Sequence, residues 1–154
     1  MTEKDEKRTN ITYEALALMS RSVYEKYGDD AIPTIRDVWY KMGLDSGDRL
    51  KKKLTTRDFK SAANLLAEIV SKAGSIEKCQ ISDTLFHFST KPGTRCDVGL
   101  EDKGRKICEA VMSVHQGQFK SICGFDVEMD IVRSRATGAD CCEIIFRPLE
   151  SKNY

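Results

Sequence analysis

The sequence has no long hydrophobic run and no excess of charge of one sign. No apolar stretch approaches the roughly 20 residues that a membrane-spanning helix needs, and the polar segment 1–10 lacks the apolar core of a secretory signal. The 25 basic and 24 acidic residues give a net charge of +1, which argues against nucleic-acid binding through a broad basic surface. We therefore expect a cytoplasmic protein with neither a membrane nor a nucleic-acid partner.

The sequence also lacks the short motifs of common catalytic and metal sites. Neither a glycine-rich phosphate loop nor a GxSxG nucleophile elbow occurs. No cysteine stands in a CxxC or other compact zinc spacing. We therefore predict no cofactor and no metal, and keep a cysteine-based metal site, assembled from distant segments, as an alternative.

Cysteine, by contrast, is frequent for a chain of this length. Because no secretory signal is found, free thiols are the better interpretation than disulfides. Some of these cysteines need no function, since cysteine also serves as a small buried hydrophobic residue. The six are Cys79, Cys96, Cys108, Cys123, Cys141 and Cys142.

Length and patterning predict one α+β domain. The 154 residues, 40% of them hydrophobic, suffice for a single core. We predict a flexible tail over 1–10 and a domain over 11–150. Helices come first, followed by a hairpin, a helix and a second hairpin, so we expect an antiparallel sheet of about four strands with helices largely on one face.

Helical spacing of apolar residues predicts the N-terminal elements. The first helix covers 11–27, and the second runs from Pro33 to about Lys41, where Gly43 and Gly47 interrupt the pattern. A short basic helix over 50–54 follows. Thr55 or Thr56 caps the next helix, Asp58 lies in its first turn, and Gly74 ends it.

Alternation of apolar and polar residues predicts the strands. Two strands, 75–81 and 84–90, surround a turn at Ser82 and Asp83, and a helix over 105–123 follows. Residues 125–133 and 141–148 alternate clearly and form a hairpin around 137–139.

The 105–123 helix carries two candidate catalytic groups. Cys108 and His115 are seven residues apart, so they project from one face about 10 Å apart along the axis. Phe119 lies close to that face. Both groups can line one cavity, but simple core packing explains them equally well.

The last hairpin adds a third candidate. Alternation turns Cys142 inward with Ile144 and Phe146, and turns Cys141 outward. Arg133 continues the inward face of the preceding strand, where a guanidinium can bind a carboxylate bidentately. The alternatives are a small core residue for Cys142 and a solvated, fraying strand end for Arg133.

The C-terminal half resembles the L-2-amino-thiazoline-4-carboxylic acid hydrolase family. The resemblance lies in Cys108-Glu109, in 115–119 and in the segment 132–146, with a Gly-x-x-x-Cys-x-x-x-Phe hairpin at Gly138, Cys142 and Phe146. Cys96, in the loop before the helix, also matches. That family is similar in turn to 4-vinyl reductase-type ligand-binding domains related to TRAPP subunits.

The resemblance implies a small-molecule pocket between helices and sheet. In the hydrolase branch a cyclic C–N bond of a thiazoline ring is opened; Cys142 or Cys108 would be the nucleophile and His115 the general acid–base. Arg133, Cys96 and Phe119 would bind the substrate. In the other branches the same fold binds or senses a ligand without catalysis. The expected partner is a small molecule, and a homodimer is left open.

Overall fold

The chain folds into three helices, a hairpin, a fourth helix and a second hairpin. A computed structural model describes residues 2–72 and 75–149. In chain order the elements are α1 (Glu3–Tyr27), α2 (Ile32–Leu50), α3 (Phe59–Ser71), β1 (Ile76–Ile81), β2 (Phe86–Thr90), α4 (Arg105–Cys123), β3 (Val127–Arg133) and β4 (Glu143–Pro148). Short 3₁₀ turns cover Gly28–Ala31, Lys51–Lys53 and Arg135–Thr137.

The four strands form one antiparallel sheet in the order β1-β2-β4-β3. Each hairpin pairs its own strands, and the two hairpins join along β2 and β4, where Phe88 lies opposite Ile144. The predicted α+β class, with helices ahead of a hairpin-helix-hairpin unit, is therefore confirmed.

One face of the sheet carries the core. Phe86, Ile144 and Phe146 point inward and are at most 3% exposed, as strand alternation predicts. From α4, Phe119 stacks on Phe59 of α3 with ring centroids 5.0 Å apart and meets Phe146 at 5.6 Å. This aromatic cluster fixes the distance between α4 and the sheet, so the positions of the α4 side chains are set by it.

The second helix continues through both glycines that the sequence had suggested would end it. Gly43 and Gly47 are buried in α2, and both lie against the backbone of α4. A side chain on Gly43 would meet Val114 and one on Gly47 would meet Gln118. Close contact between two helices thus outweighs the weak helix propensity of glycine.

The first helix begins at Glu3, eight residues before the predicted start at Ile11. The added segment is polar, so it has no apolar periodicity to reveal it. It is nevertheless rich in Glu, Lys and Arg, which have good helix propensity. Of the helices in residues 2–72 and 75–149, none combines the length and the hydrophobicity of a membrane span.

The third helix begins two to three residues after the predicted caps, Thr55 and Thr56. Asp58 is its N-cap, and its carboxylate accepts a hydrogen bond of 2.8 Å from the backbone N–H of Ser61. The predicted stop at Gly74 lies outside the described residues.

Candidate functional site

Two connections meet at the end of the sheet where α4 begins. One is the 91–104 loop from β2 to α4, and the other is the 134–142 segment from β3 to β4. Backbone hydrogen bonds join them: Asp102 donates to Arg135 at 3.2 Å, and Gly104 to Ala136 at 2.8 Å. The two segments therefore form one surface, although some thirty residues separate them in sequence.

The 134–142 segment turns tightly at its start. The Ser134 hydroxyl accepts a hydrogen bond from the Ala136 N–H at 3.0 Å, which caps the 3₁₀ turn. Gly138 then adopts a φ of +89°, a conformation that favours glycine, and ends the turn. This local geometry directs the Arg135 side chain into the protein.

Arg135 is buried, with 6% of its surface exposed. One guanidinium nitrogen, Nη1, donates to Thr90 Oγ1 at 2.9 Å and to Cys142 Sγ at 3.3 Å. The other, Nη2, donates to the Lys91 carbonyl at 2.9 Å and to the Thr94 hydroxyl. Its Nε has no partner within the described residues.

No carboxylate in the described part of the chain forms an ion pair with Arg135; its acceptors are hydroxyls, a carbonyl and a sulfur. A buried charge without a counter-ion is costly. The site therefore has a positive charge that nearby protein groups compensate only in part.

A cleft of about 520 Å³ opens over Arg135. Its size falls in the range of small-molecule sites, about 300–1,000 Å³. Both connections supply its walls, and the lining is Gly93, Thr94, Arg95, Glu101, Asp102, Arg135, Gly138, Ala139 and Asp140.

The cleft carries charges of both signs. Arg95, which is exposed, and Arg135 are the cations, and Glu101, Asp102 and Asp140 are the anions. The pKa of Glu101 is lowered, first by the 2.8 Å hydrogen bond from the backbone N–H of Cys96 and also by the charges of the two arginines. A ligand with both an anionic and a cationic group would match this lining.

Three of the predicted residues come together beside the cleft. Cys142 touches the Arg135 guanidinium, and the Cys108 sulfur lies 3.3 Å from the Ser134 hydroxyl. Electrostatic interactions link Cys96, Cys108 and Cys142 pairwise. Thiols from a loop, a helix and the turn before β4 thus lie near one another.

Cys96 and Cys108 are poor nucleophiles in the resting protein. Burial raises the pKa of Cys108 to about 11, and the hydrogen bond with Ser134 offsets only part of this. Burial also raises the pKa of Cys96, against hydrogen bonds from the backbone of Leu100 and Val98. Both therefore remain protonated at neutral pH.

Strand alternation misplaced the adjacent cysteines. Cys141 is buried, with 4% exposed, and Cys142 is half-buried, the reverse of the prediction. The reason is that β4 begins only at Glu143, so both cysteines belong to the preceding turn. In a turn, successive side chains do not alternate between the two faces of the sheet. Ile144 and Phe146, within the strand, face inward as predicted.

Arg133 does not face inward. Its side chain is 54% exposed, and its Nε donates to Glu143 Oε2 at 3.0 Å. The other Glu143 oxygen pairs with His87 Nε2 at 2.8 Å, on the strand neighbouring β4. The pairing register shifts between Ile131 and Arg133, and this irregularity ends the alternation on which the prediction depended.

His115 and Phe119 lie further along α4, away from the cluster formed by Cys96, Cys108 and Cys142. His115 is half-buried, its ring meets the edge of Phe146 at 5.9 Å, and its Nδ1 is hydrogen-bonded to Gln118 Oε1 at 2.9 Å. Burial lowers its pKa. Phe119 is fully buried in the aromatic cluster. The hydrogen bond of His115 therefore goes to an amide and not to a thiol that it could activate.

The described residues offer no metal site, and they form a second cleft. In the 2–72 and 75–149 ranges, no group of three or more Cys, His, Asp or Glu is placed to hold a metal ion. A second cleft has a volume of about 490 Å³, and none of the predicted site residues lines either cleft. The second cleft is lined by Pro33, Arg36, Asp37, Tyr40, Ser113, Gln116, Asp126, Val127 and Leu149.

Comparison with known proteins identifies the fold. No protein-family model and no curated protein matches the sequence. Among solved structures, the chain is similar to trafficking protein particle complex subunit 3 from Naegleria fowleri, covalently bound to palmitic acid, with 20% identity, a TM-score of 0.58 and coverage of 91% of this chain and 96% of the other.

A second similar structure is the phenol-responsive sensory domain of the transcription activator PoxR with phenol. It has 17% identity and a TM-score of 0.53, and the match covers 92% of this chain and 76% of the other. No comparison supports the thiazoline hydrolase part of the sequence resemblance. The chain has the fold that a TRAPP subunit shares with this sensory domain.

Proposed function

We propose that the chain is a small-molecule-binding module, and that its ligand is a small aminocarboxylate held in the cleft over Arg135. The observation that carries the proposal is the buried Arg135 guanidinium, which lines a cleft of small-molecule size and has no carboxylate partner among the described residues. A ligand carboxylate in the cleft would supply the missing negative charge.

Arg95 would make the direct contact. All four Nη hydrogen bonds of Arg135 go to protein groups, and its Nε is enclosed. Arg135 therefore acts through its charge, whereas the exposed Arg95 can reach a ligand with its guanidinium. Asp102 and Asp140 lie on the same cleft and would attract the cationic group of the ligand.

The fold comparisons favour binding as the activity. Both similar structures contain a small molecule, palmitic acid in the trafficking-complex subunit and phenol in the sensory domain. The arrangement of this chain agrees, since within the described residues His115 is hydrogen-bonded to Gln118 and to neither Cys108 nor Cys142, the two predicted nucleophiles. We therefore propose binding without ring opening.

The test uses two ligands that differ by one group. L-2-amino-thiazoline-4-carboxylate carries a carboxylate and an amidine-type nitrogen group, and 2-amino-thiazoline lacks the carboxylate. By titration calorimetry we expect the carboxylate compound to bind at least about tenfold more tightly. Equal affinity, or no binding of either compound, would show the proposal to be wrong.

Two variants locate the binding site. Arg95→Ala should weaken binding of the carboxylate compound by roughly tenfold, with an unchanged circular dichroism spectrum. Arg133→Ala is the matched control, because Arg133 is an exposed arginine paired with Glu143 outside the cleft. Chromatography of the incubated mixture should recover the ligand intact; formation of carbamoyl-cysteine would instead establish the hydrolase.

A further inference from the structure

We propose that Cys142 is a covalent modification site, at which the protein exchanges with a low-molecular-mass aminocarboxylate disulfide and retains one half as a mixed disulfide. This inference rests on the proposed function, because the retained half would lie in the same cleft. The cleft would then hold a ligand that is attached covalently through Cys142 and released by reduction.

The first support is the pairing of Cys142 with Arg135. The Arg135 guanidinium is buried and lacks a carboxylate partner, and its Nη1 lies 3.3 Å from the Cys142 sulfur. Of the groups that accept its hydrogen bonds, the sulfur is the one that can carry a negative charge. A thiolate formed during exchange would therefore have its counter-ion already in place.

Position distinguishes Cys142 from the neighbouring cysteines. Cys108 and Cys141 are buried, whereas Cys96 and Cys142 are half-buried. Of these two, Cys142 is the one that accepts a hydrogen bond from Arg135 within the described residues. Ala139 and Asp140, three and two residues before Cys142, line the cleft, and Arg135 belongs both to the cleft lining and to the hydrogen-bond cluster around the sulfur. A group attached to this sulfur therefore has a short path into the cleft.

The backbone around Cys142 is held firmly. Its N–H donates to Thr90 Oγ1 at 2.9 Å, and its carbonyl accepts from the Thr90 N–H at 2.9 Å. Thr90 Oγ1 also accepts from Arg135. The sulfur and the guanidinium are thus positioned by one shared residue, so the side chain can change partner without movement of the strand end.

The exchange is a thiol–disulfide substitution. The Cys142 thiol gives up its proton, and its sulfur attacks one sulfur of the disulfide. A new sulfur–sulfur bond forms, and the original bond breaks with its electron pair on the departing sulfur, which takes up the proton. One thiol and one disulfide are consumed, and one mixed disulfide and one free thiol result, so no further oxidant is required.

The cleft predicts which disulfides react. The carboxylate of the retained half would meet Arg95 and the field of Arg135, and its ammonium group would meet Asp102 or Asp140. L-Cystine has these groups, and cystamine has the ammonium groups without the carboxylates. We therefore expect L-cystine to modify the protein at least about tenfold faster than cystamine.

The experiment follows intact and peptide mass after incubation with each disulfide. The expected result is one cysteinyl group per chain, on Cys142, released by a reducing agent. Cys142→Ser should abolish the modification. Cys79→Ser removes an exposed thiol on β1 that does not belong to the cluster of Cys96, Cys108 and Cys142, and it should leave the modification unchanged. Arg135→Lys should slow the reaction several-fold because the sulfur loses its fixed donor.

Two patterns of modification would overturn the inference. One is modification spread over several cysteines or confined to another cysteine, and the other is an internal disulfide between Cys142 and Cys96 or Cys108. Binding of the thiazoline carboxylate without any cysteinylation would reject this inference and leave the proposed function standing. Cysteinylation of Cys142 with equal rates for L-cystine and cystamine would instead reject the aminocarboxylate cleft.

Discussion

Gly43 of α2 lies directly against the Val114 carbonyl of α4: a Cβ on Gly43 would be 2.0 Å from that oxygen. Because the obstacle is backbone, no side-chain rotation relieves it. We expect Gly43→Ala to lower the free energy of unfolding by about 3 kcal/mol or more, measured by urea denaturation followed by circular dichroism.

Gly28→Ala is the control for this substitution. Gly28 has a φ of +61°, but a Cβ added there would meet no other atom within 4 Å. Gly28→Ala should therefore lower the free energy of unfolding only by about 1 kcal/mol, the cost of placing alanine at a positive φ. If the two variants have equal stability, close packing of α2 on α4 is not what requires Gly43.

The single tryptophan allows a second test of the helical layer. Trp39 is fully buried, and its Nε1 donates to the Ser20 hydroxyl at 2.9 Å. Ser20→Ala would leave this N–H without a partner, which should cost about 1–3 kcal/mol in urea unfolding. In a Trp39→Phe background the same substitution should cost much less, and similar costs in both backgrounds would mean that the hydrogen bond contributes little.

Periodicity predicted most of the fold, since β2, β3 and β4 carry a period of two and α4 carries a period of 3.6. It failed at α2, where Gly43 and Gly47 look like helix breakers in sequence. Their role depends on α4, some seventy residues away, and no local pattern contains that contact.

The site was predicted only in part for a related reason. The family resemblance grouped Cys96, Cys108 and Cys142, and the structure brings them together. Arg135 was passed over in favour of Arg133, because a residue in a 3₁₀ turn has no face that a strand or helix period can assign. The register shift after Ile131 then removed Arg133 from the inward face.

The reactivity of the thiols should follow their burial. Cys79 is exposed on β1, whereas Cys108 is buried and has its pKa raised to about 11. With iodoacetamide at neutral pH, peptide mass spectrometry should find Cys79 labelled early and Cys108 labelled late, by at least about a factor of ten. Unfolding in denaturant should remove the difference. Early labelling of Cys108 in the folded protein would contradict the burial described here and would restore it as a candidate nucleophile.

His115 predicts how stability depends on pH. Its pKa is lowered in the folded protein, first by burial, from an ordinary value of about 6.5. Below that value His115 is protonated in the unfolded chain but stays neutral in the folded chain, so protonation favours unfolding. The contribution of neutral His115 is therefore complete above about pH 7 and is lost as the pH falls below about 6.5, at up to roughly 1.4 kcal/mol per pH unit.

The variant that isolates this effect is His115→Gln, which cannot titrate but can still hydrogen-bond to Gln118. We would measure unfolding free energies of both proteins by urea denaturation between pH 5 and pH 8, and take their difference at each pH. Groups common to both chains, including the carboxylates, cancel in that difference. It should be constant above about pH 7 and should shift in favour of the variant as the solution becomes more acidic. A difference that stays constant down to pH 5 would mean that His115 is readily protonated in the folded protein, and its burial against Phe146 would then be wrong.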